Sequence, residues 1–445
     1  MENAARTLTG MSSIQSPSSA TIPDRAPWFR RLVNVAPGEI AALLASFAMF
    51  FALLSAYYII RPVRDEMGVA LGKESLHQLF TVVFVVMLVL VPLFGFVATR
   101  FPRRYVLPSI YVFFAANLVI FWLVLKASPE DRLAAGSFFV WASIFNLFVV
   151  SLFWSLMSEL WSHEEATRLY GFISAGGTAG ALAGPLLTQG LVRVFQPVDL
   201  LLVSAALLTA SMLASLQLRR LRPAEAKGSG EPAGGGILDG ATKVFTNPMF
   251  ARIALFIFVA NIIGTFFYLE QARLVAASIT NSADRVLFFS GRDLAVSTVT
   301  LLIEVFGTAR VLRRFGVTVA LLSLPVTGAI GVLLLTFDAA LWIVAAVMVA
   351  ERIVSFALAN PAIKVIYTLA TPADKYKVQN FIDTVVFRGG DATSGWLYAI
   401  VGSGLGFAGG ATGAIAVPMV IVWLWTAKRL GANHKERAAE LSVSD

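Results

Sequence analysis

Long apolar stretches separated by short polar segments recur along the whole 445-residue chain. Each stretch has about 20 residues, the length that a helix needs to cross the roughly 30 Å hydrocarbon core of a bilayer. Apolar residues make up 57% of the chain and charged residues 14%, against about 25% charged in soluble proteins. The sequence therefore predicts an all-α integral membrane protein that crosses the bilayer many times.

The apolar stretches predict twelve transmembrane helices in two sets of six. The first set is predicted near residues 38–60, 78–99, 105–126, 133–160, 168–194 and 198–218. The second set is predicted near residues 249–278, 285–309, 316–336, 339–368, 377–401 and 405–427. This grouping predicts two six-helix bundles, over residues 37–219 and 248–427.

Polar segments flank and separate these bundles. Residues 1–36 are rich in Ser, Pro and Arg and lack the apolar core of a signal peptide, which predicts a disordered tail. Residues 220–247 hold Gly, Pro and charge, which predicts a linker, and residues 428–445 predict a second polar tail. Lys and Arg are in excess on the side of both tails and the linker, so we expect these segments to be cytoplasmic.

Several kinds of function are disfavoured by composition. The chain has no cysteine, and its three histidines fall in predicted loops or tails, so we expect no metal site and no cofactor. The sequence shows no pairing of a nucleophile with a base that would indicate an enzyme. The net charge of +8 is spread over short loops rather than one patch, which disfavours nucleic acid. The expected partners are membrane lipid and a small solute, and the expected localisation is a cell inner membrane, as a monomer.

The two predicted bundles resemble each other in sequence. Three matches share nearly one offset: the basic segments 99–105 and 309–315 (309 − 99 = 210), the segments 165–173 and 374–382 (374 − 165 = 209), and Arg64 with Arg273 (273 − 64 = 209). Duplicated halves are the pattern of carriers that rock about a site at the membrane midplane. The basic segments are also similar to the signature loop of the major facilitator superfamily. That resemblance implies alternating access, with helices 1, 4, 7 and 10 lining a central cavity.

Ionisable side chains are numerous inside the predicted helices. Each costs roughly 2.5 to 3.5 kcal/mol at the bilayer centre, so each needs a partner or an aqueous cavity. One interpretation makes Arg61, Arg64, Arg273 and Lys364 an electropositive site for an anion. The other makes the charges ion pairs that lock helices together. The spacing predicts pairs between Glu270 and Arg273 and between Arg388 and Asp391, and structural pairing is predicted for Arg292, Glu304, Glu351 and Arg352.

The fifth predicted helix carries small residues on one stripe. Gly176, Gly180 and Gly184 recur every four residues and Pro185 follows. Such a stripe allows the backbones of two helices to approach closely, and the proline permits a bend. We therefore expect this helix to pack tightly against a neighbour.

Motifs across both halves resemble the ATP/ADP translocases of plastids and intracellular bacteria. The first-helix segment from Tyr57 to Asp65 is similar to the family motif Y-x-I-x-R-x-x-K-D, with Arg64 in place of the lysine. Glu159 ahead of RLY, Glu270 in FFYLEQARL, and the run from Tyr367 to Asp383 match further motifs of this family. Where the family has a lysine in its helix 11 motif, this chain has Asp391.

The resemblance implies a secondary active transporter that exchanges nucleotides of the ATP/ADP type. It implies substrate binding by a set of aromatic and basic side chains: Tyr57, Arg61, Arg64, Arg273, Lys364 and Arg388. Coupling or counterion roles fall to the acids Asp65, Glu159, Glu270, Asp383 and Asp391. Two alternatives stay open. The first is proton-coupled symport or export of another organic solute through Glu159, Glu270 or Asp383, and the second is a membrane scaffold or assembly factor that transports nothing.

Overall fold

The computed structural model describes residues 35–100, 103–222, 237–337, 340–404 and 410–444. Six long helices form the first half of the chain: α1 Ile40–Leu71, α2 Lys73–Arg100, α3 Arg103–Ala127, α4 Arg132–Leu160, α5 His163–Leu191 and α6 Leu200–Leu221. A short helix at Ile237–Thr246, here the linker helix, precedes the second half. Most of the predicted tail 1–36 and the centre of the predicted linker 220–247 lie outside the described residues.

The second half contains six more helical rods. They are α7 Pro248–Ser278, α8 282–315, α9 317–337, α10 341–367, α11 372–404 and α12 Gly410–Ser444. The bend between α8 and α9 lies at Gly316, whose φ of 79° falls in the left-handed region that favours glycine. Three of the rods contain one π-helical turn each, at Glu304–Thr308 in α8, Ser355–Ala359 in α10 and Ile382–Val386 in α11. The all-α, two-half architecture that the sequence predicts is confirmed.

Length and composition also mark nine of these twelve rods as candidate membrane helices. Among the described residues, eight helical spans are apolar enough to cross a bilayer, and one of them, Ser282–Phe337, contains both α8 and α9. Apolar side chains such as Val89 and Phe113 remain exposed on the outside of the bundle. This is the pattern of helices that contact lipid rather than water.

The first helix is longer than the sequence predicts. Its predicted end at residue 60 is wrong, because α1 continues through Pro62 to Leu71 and ends at Gly72, whose φ is 85°. Asp65 and Glu66, which lie beyond that predicted end, are buried inside the bundle. Partners on other helices satisfy these charges, so the helix has no need to end before them.

The last helix also extends beyond its predicted end. The sequence predicts a membrane helix to residue 427 and a polar tail over 428–445, whereas α12 is helical without interruption to Ser444. In the linker region, Lys243 of the linker helix lies 3.0 Å from Asp374 of α11, and Asp239 pairs with Lys377 at 3.1 Å. The linker helix therefore packs against the second half.

The glycine stripe of α5 packs against α1, as predicted. A methyl group at Gly176 would lie 2.5 Å from the carbonyl oxygen of Phe47, and one at Gly184 would lie 2.6 Å from Cβ of Tyr58. Ser55 also donates a hydrogen bond to the Gly180 carbonyl, at 3.4 Å. Close backbone contact of this kind holds α1 in place without large side chains.

Each half is built around its own hydrophobic core, and the halves meet along few helices. One core is formed mainly by α1 to α6 and the other mainly by α7 to α12. Across the interface α1 and α5 contact α8, and α2 contacts α11. In the described residues, the hydrogen bonds and ion pairs between the halves lie from mid-depth towards one end, where α1, α7 and α11 end and α2 and α8 begin. The predicted orientation makes this the extracellular end.

Candidate functional site

A buried carboxylate, that of Asp65, lies at the centre of the interface between the halves. Arg64 donates to Asp65 Oδ1 at 2.6 and 3.1 Å from the same helix, and Arg292 of α8 donates to Oδ2 at 2.7 Å. Tyr268 of α7 adds a hydroxyl donor to Oδ1 at 3.3 Å. Asp65 itself has no exposed surface. Residues of three helices from both halves therefore converge on one carboxylate.

Arg292 contacts two acids, Asp65 across the interface and Asp293 on its own helix. Besides its bond to Asp65, it donates from Nε and Nη2 to Asp293 Oδ1, at 3.1 and 2.9 Å. Its third nitrogen donates to the side-chain carbonyl of Gln271, at 2.8 Å. All donor nitrogens of this buried guanidinium are thus engaged, as burial of a charge requires.

Arg61 provides a second link between the halves. Its Nε lies 3.4 Å from Oδ2 of Asp293, and its guanidinium carbon lies 5.7 Å from the centre of the Tyr58 ring. Tyr57 lies one turn earlier on α1 and within range of charge interaction with both Arg61 and Arg64. The predicted residues Tyr57, Arg61, Arg64 and Asp65 therefore share one site.

The ion pairs between α1 and α8 lie at successive depths along the two helices. Arg61 lies ten residues before the end of α1 and Asp293 eleven after the start of α8, so this pair is about 15 Å from the helix ends, near the membrane midplane. A further pair, Glu66 with Arg285 at 3.8 Å, lies nearer those ends. We call these contacts, together with the Asp65–Arg292 pair, the α1–α8 ladder.

The cluster around Asp65 carries an excess of positive charge. Arg61, Arg64 and Arg292 contribute three positive charges, whereas Asp65 and Asp293 contribute two negative ones, which leaves +1 (3 − 2). The side chains of Arg61 and Arg64 keep 11% and 15% of their surface exposed, whereas that of Arg292 keeps 2%. The two arginines of α1 are therefore less completely buried than Arg292.

Two other predicted pairs are confirmed in the second half. Glu270 accepts hydrogen bonds from Arg273 and, at 2.7 Å, from the hydroxyl of Tyr398 in α11. Asp391 accepts from Arg388 at 3.1 Å and from Thr265 of α7 at 2.7 Å. Each of these arginines is paired with an acid three residues away.

The remaining predicted site residues lie apart from the cluster around Asp65. Lys364 is exposed three residues before the end of α10, in range of charge interaction with Glu304 and Asp383. Glu159 lies one residue before the end of α4, where Arg219 of α6 donates to it at 3.1 and 3.3 Å. The structure thus brings Arg61 and Arg64 together and places Arg273 and Lys364 in two other local networks.

The structure corrects several expectations about charged residues. Asp293 has no role in the predicted site, yet it joins Arg61 to Arg292, and the only signal in the sequence is its position inside an apolar helix. The predicted ion pairs are confirmed for Arg292. They are wrong for Glu304, Glu351 and Arg352, none of which has an oppositely charged partner within 4.0 Å among the described residues. The described residues also contain no group of three or more His, Cys, Asp or Glu side chains able to hold a metal.

Comparison with known proteins places the chain in a family. The sequence model of the Major Facilitator Superfamily matches residues 35–394, which is most of the chain. The chain belongs to the Major Facilitator Superfamily. This protein is therefore a membrane transporter and not an enzyme. No curated protein matches its sequence.

Solved structures of other facilitator carriers share this fold. A variant of the nucleoside transporter NupG is 15% identical, with a TM-score of 0.63 over 88% of this chain and 99% of the other. A POT family transporter in complex with a thioalcohol-conjugated peptide is 12% identical, with a TM-score of 0.60 over 87% and 96%. A bacterial homologue of the iron transporter ferroportin, in an inward-facing state, is 13% identical, with a TM-score of 0.59 over 88% and 98%. At these identities the likeness concerns the fold alone.

Proposed function

We propose that this facilitator protein is a secondary carrier that moves a small anionic metabolite by alternating access. The observation that carries this proposal is the arginine excess between the halves, at the depth where duplicated carriers bind substrate. Arg61 and Arg64 present guanidinium groups that bind carboxylate or phosphate in a bidentate manner. Both are on α1, which the α1–α8 ladder connects to the second half.

An anion at this site competes with the acids that the arginines already contact. When it binds Arg61, it substitutes for Asp293, and when it binds Arg64, it substitutes for one oxygen of Asp65. Exchange at Arg61 weakens a contact between α1 and α8, whereas exchange at Arg64 replaces a contact within α1. Neither exchange leaves a guanidinium unpaired. Substrate binding is thereby linked to separation of the halves at the extracellular end, which is the movement that alternating access requires.

The geometry favours an anion of low charge. The cluster around Asp65 has a net charge of only +1, and Glu270 and Asp391 neutralise the nearby Arg273 and Arg388. Exchange of ATP for ADP is the second candidate, because the segment from Tyr57 to Asp65 resembles the translocase motif. In this candidate Arg273, Arg388 and Lys364 would bind the further phosphates after leaving their present partners.

The same proposal includes orientation and localisation. The excess of Lys and Arg on one side supports cytoplasmic termini in a cell inner membrane. With that orientation the α1–α8 ladder links the halves on the extracellular side. We further propose a monomer as the functional unit.

Counterflow in proteoliposomes tests the proposal. Vesicles loaded with unlabelled inorganic phosphate, ADP, ATP or a mixture of organic acids receive the labelled compound outside, with wild type, Arg64→Ala and Arg64→Lys compared. We expect uptake of at least one anion, at least tenfold lower in Arg64→Ala and partly retained in Arg64→Lys. The matched control is Arg193→Ala, because Arg193 is an exposed arginine far from the cluster.

The outcomes separate the candidate functions. Uptake of phosphate or organic acids alone supports the low-charge anion, and uptake of ATP against ADP supports nucleotide exchange. Absence of counterflow for every compound by folded wild-type protein contradicts both. A copurifying partner protein would then favour the scaffold alternative.

A further inference from the structure

A buried acid without a partner lies in the second half, on α10. Glu351 is 9% exposed, and among the described residues it forms no hydrogen bond and no ion pair. It lies ten residues after the start of α10, about 15 Å along the helix axis and thus near the membrane midplane. A carboxylate at this depth is unfavourable, and loss of its charge by protonation is the ordinary solution when no cation is present.

The carboxyl group of Glu351 packs against a glycine of α7. It points at Gly264 of α7, where a methyl group would lie 3.5 Å from Oε1 and 3.8 Å from Oε2. A methyl group here would be in ordinary van der Waals contact with both oxygens. Gly264 therefore leaves the carboxyl group of Glu351 uncrowded on the side of α7.

Charged groups on the packed elements do not neutralise Glu351. Its neighbours are α7, α8, α9 and the π-helical turn of α10. These elements and the adjoining residues of α10 contain the ionisable groups Arg252, Tyr268, Glu270, Arg273, Asp284, Arg285, Arg292, Asp293, Glu304, Arg310, Arg313, Arg314, Arg352 and Lys364. Among the described residues, none of these groups forms a hydrogen bond or an ion pair with Glu351. Burial is therefore not offset by a partner of opposite charge.

The other intramembrane acids are already engaged. Glu270 and Asp391 are paired with arginines, Asp65 and Asp293 belong to the α1–α8 ladder, and Asp383 faces Lys364. A proton that binds one of these acids competes with a cation. Among the described residues near the midplane, Glu351 is the acid for which a proton has no such competitor.

Helix α7 connects Glu351 to the interface between the halves. Gly264 lies one turn from Tyr268, which donates to Asp65, and three residues from Asn261, which donates to Asp391 at 2.8 Å. In addition, the π-helical turn Ser355–Ala359 begins one turn after Glu351, and Thr308 of α8 donates to its Ala357 carbonyl at 2.7 Å. Such turns are frequent at functional sites. Glu351 therefore packs against the part of α7 that lies between Tyr268, a donor to Asp65, and Asn261, a donor to Asp391.

We propose that Glu351 is a proton-binding site that couples transport to proton movement. On the open side its carboxylate accepts a proton from water to form a neutral carboxylic acid, and after the halves rearrange it returns that proton to water on the opposite side. The coupling rests on the proposed transport function, whereas proton binding itself does not. The site thereby names the coupling ion of the carrier.

Infrared spectroscopy of the full chain in lipid tests proton binding without a substrate. We expect the carbonyl stretching band of a protonated carboxylic acid to persist at neutral pH in wild type and to disappear on alkaline titration. Glu351→Gln should lack this band and should fold, since it keeps the shape and removes the charge. Glu130→Gln, which changes an exposed loop acid, should keep the band, and Asp383→Asn should keep it too. An unchanged band in Glu351→Gln overturns the proposal.

A transport assay tests the coupling. With inorganic phosphate as the probe, Glu351→Gln should retain counterflow, which needs no net proton movement, and should lose the acceleration of phosphate uptake by an inward proton gradient. Equal acceleration in wild type and Glu351→Gln, or none in wild type, overturns the coupling. If wild type shows no counterflow with phosphate, ADP, ATP or organic acids, the proposed transport function fails, and the infrared band alone then decides whether Glu351 binds a proton.

Discussion

Arg292 joins the two halves of this facilitator carrier by donating a 2.7 Å hydrogen bond to Asp65 across their interface. Both side chains are buried, and 227 residues separate them along the chain. A buried pair of this kind stabilises little compared with an apolar contact, but the loss of one partner leaves the other charge uncompensated. The pair therefore acts chiefly to specify how the halves dock.

We predict that Arg292→Gln destabilises the protein by about 3 kcal/mol, at the lower end of the cost of breaking a buried pair because Arg64 still neutralises Asp65. Thermal unfolding in detergent measures this as a lower apparent melting temperature. Equal stability of wild type and Arg292→Gln would contradict the prediction.

The sequence predicted the helical architecture more completely than it predicted the contacts between side chains. Apolar stretches of the right length define most helices, and the i, i+3 spacing correctly paired Glu270 with Arg273 and Arg388 with Asp391. The end of α1 was missed because a proline and a run of charges resemble a helix end unless their partners are known. Those partners lie on α8, and only the packing of two distant helices brings them together.

Opening of the extracellular end is expected when the outermost pair of the α1–α8 ladder is broken. Because the chain has no cysteine, a single Ser297→Cys reporter on α8, deeper than Asp293, can be labelled without background. We predict that Arg285→Ala, which removes the partner of Glu66, increases labelling by a membrane-impermeant maleimide several-fold from outside the cell. Arg193→Ala should not, and unchanged labelling in Arg285→Ala would mean that this pair does not hold the end closed.

Close packing of α1 against α5 predicts a steric penalty at the glycine stripe. In Gly184→Ala the new methyl group would lie 2.6 Å from Cβ of Tyr58, so one helix must shift. We expect a loss of about 1–3 kcal/mol, typical of overpacked interiors, and a weaker cation–π contact between Tyr58 and Arg61. Gly171→Ala is the matched control, because nothing lies within 4 Å of a methyl group there. Equal melting temperatures of Gly184→Ala and Gly171→Ala would contradict the prediction.

Asp391 determines how much positive charge the second half offers to a substrate. Asp391→Asn keeps an oxygen that accepts from Thr265 but removes the counter-charge of Arg388, whose side chain is 20% exposed. At a separation of about 8 Å and an effective dielectric constant of about 20, one added positive charge attracts each unit of substrate charge by about 2 kcal/mol before screening by salt. We therefore predict that ATP inhibits phosphate counterflow at a concentration at least several-fold lower in Asp391→Asn than in wild type, whereas a monocarboxylate gains less. Asp284→Asn, a change of an exposed acid, is the control, and equal inhibition by ATP in Asp391→Asn and wild type would show that Arg388 does not contact the transported anion.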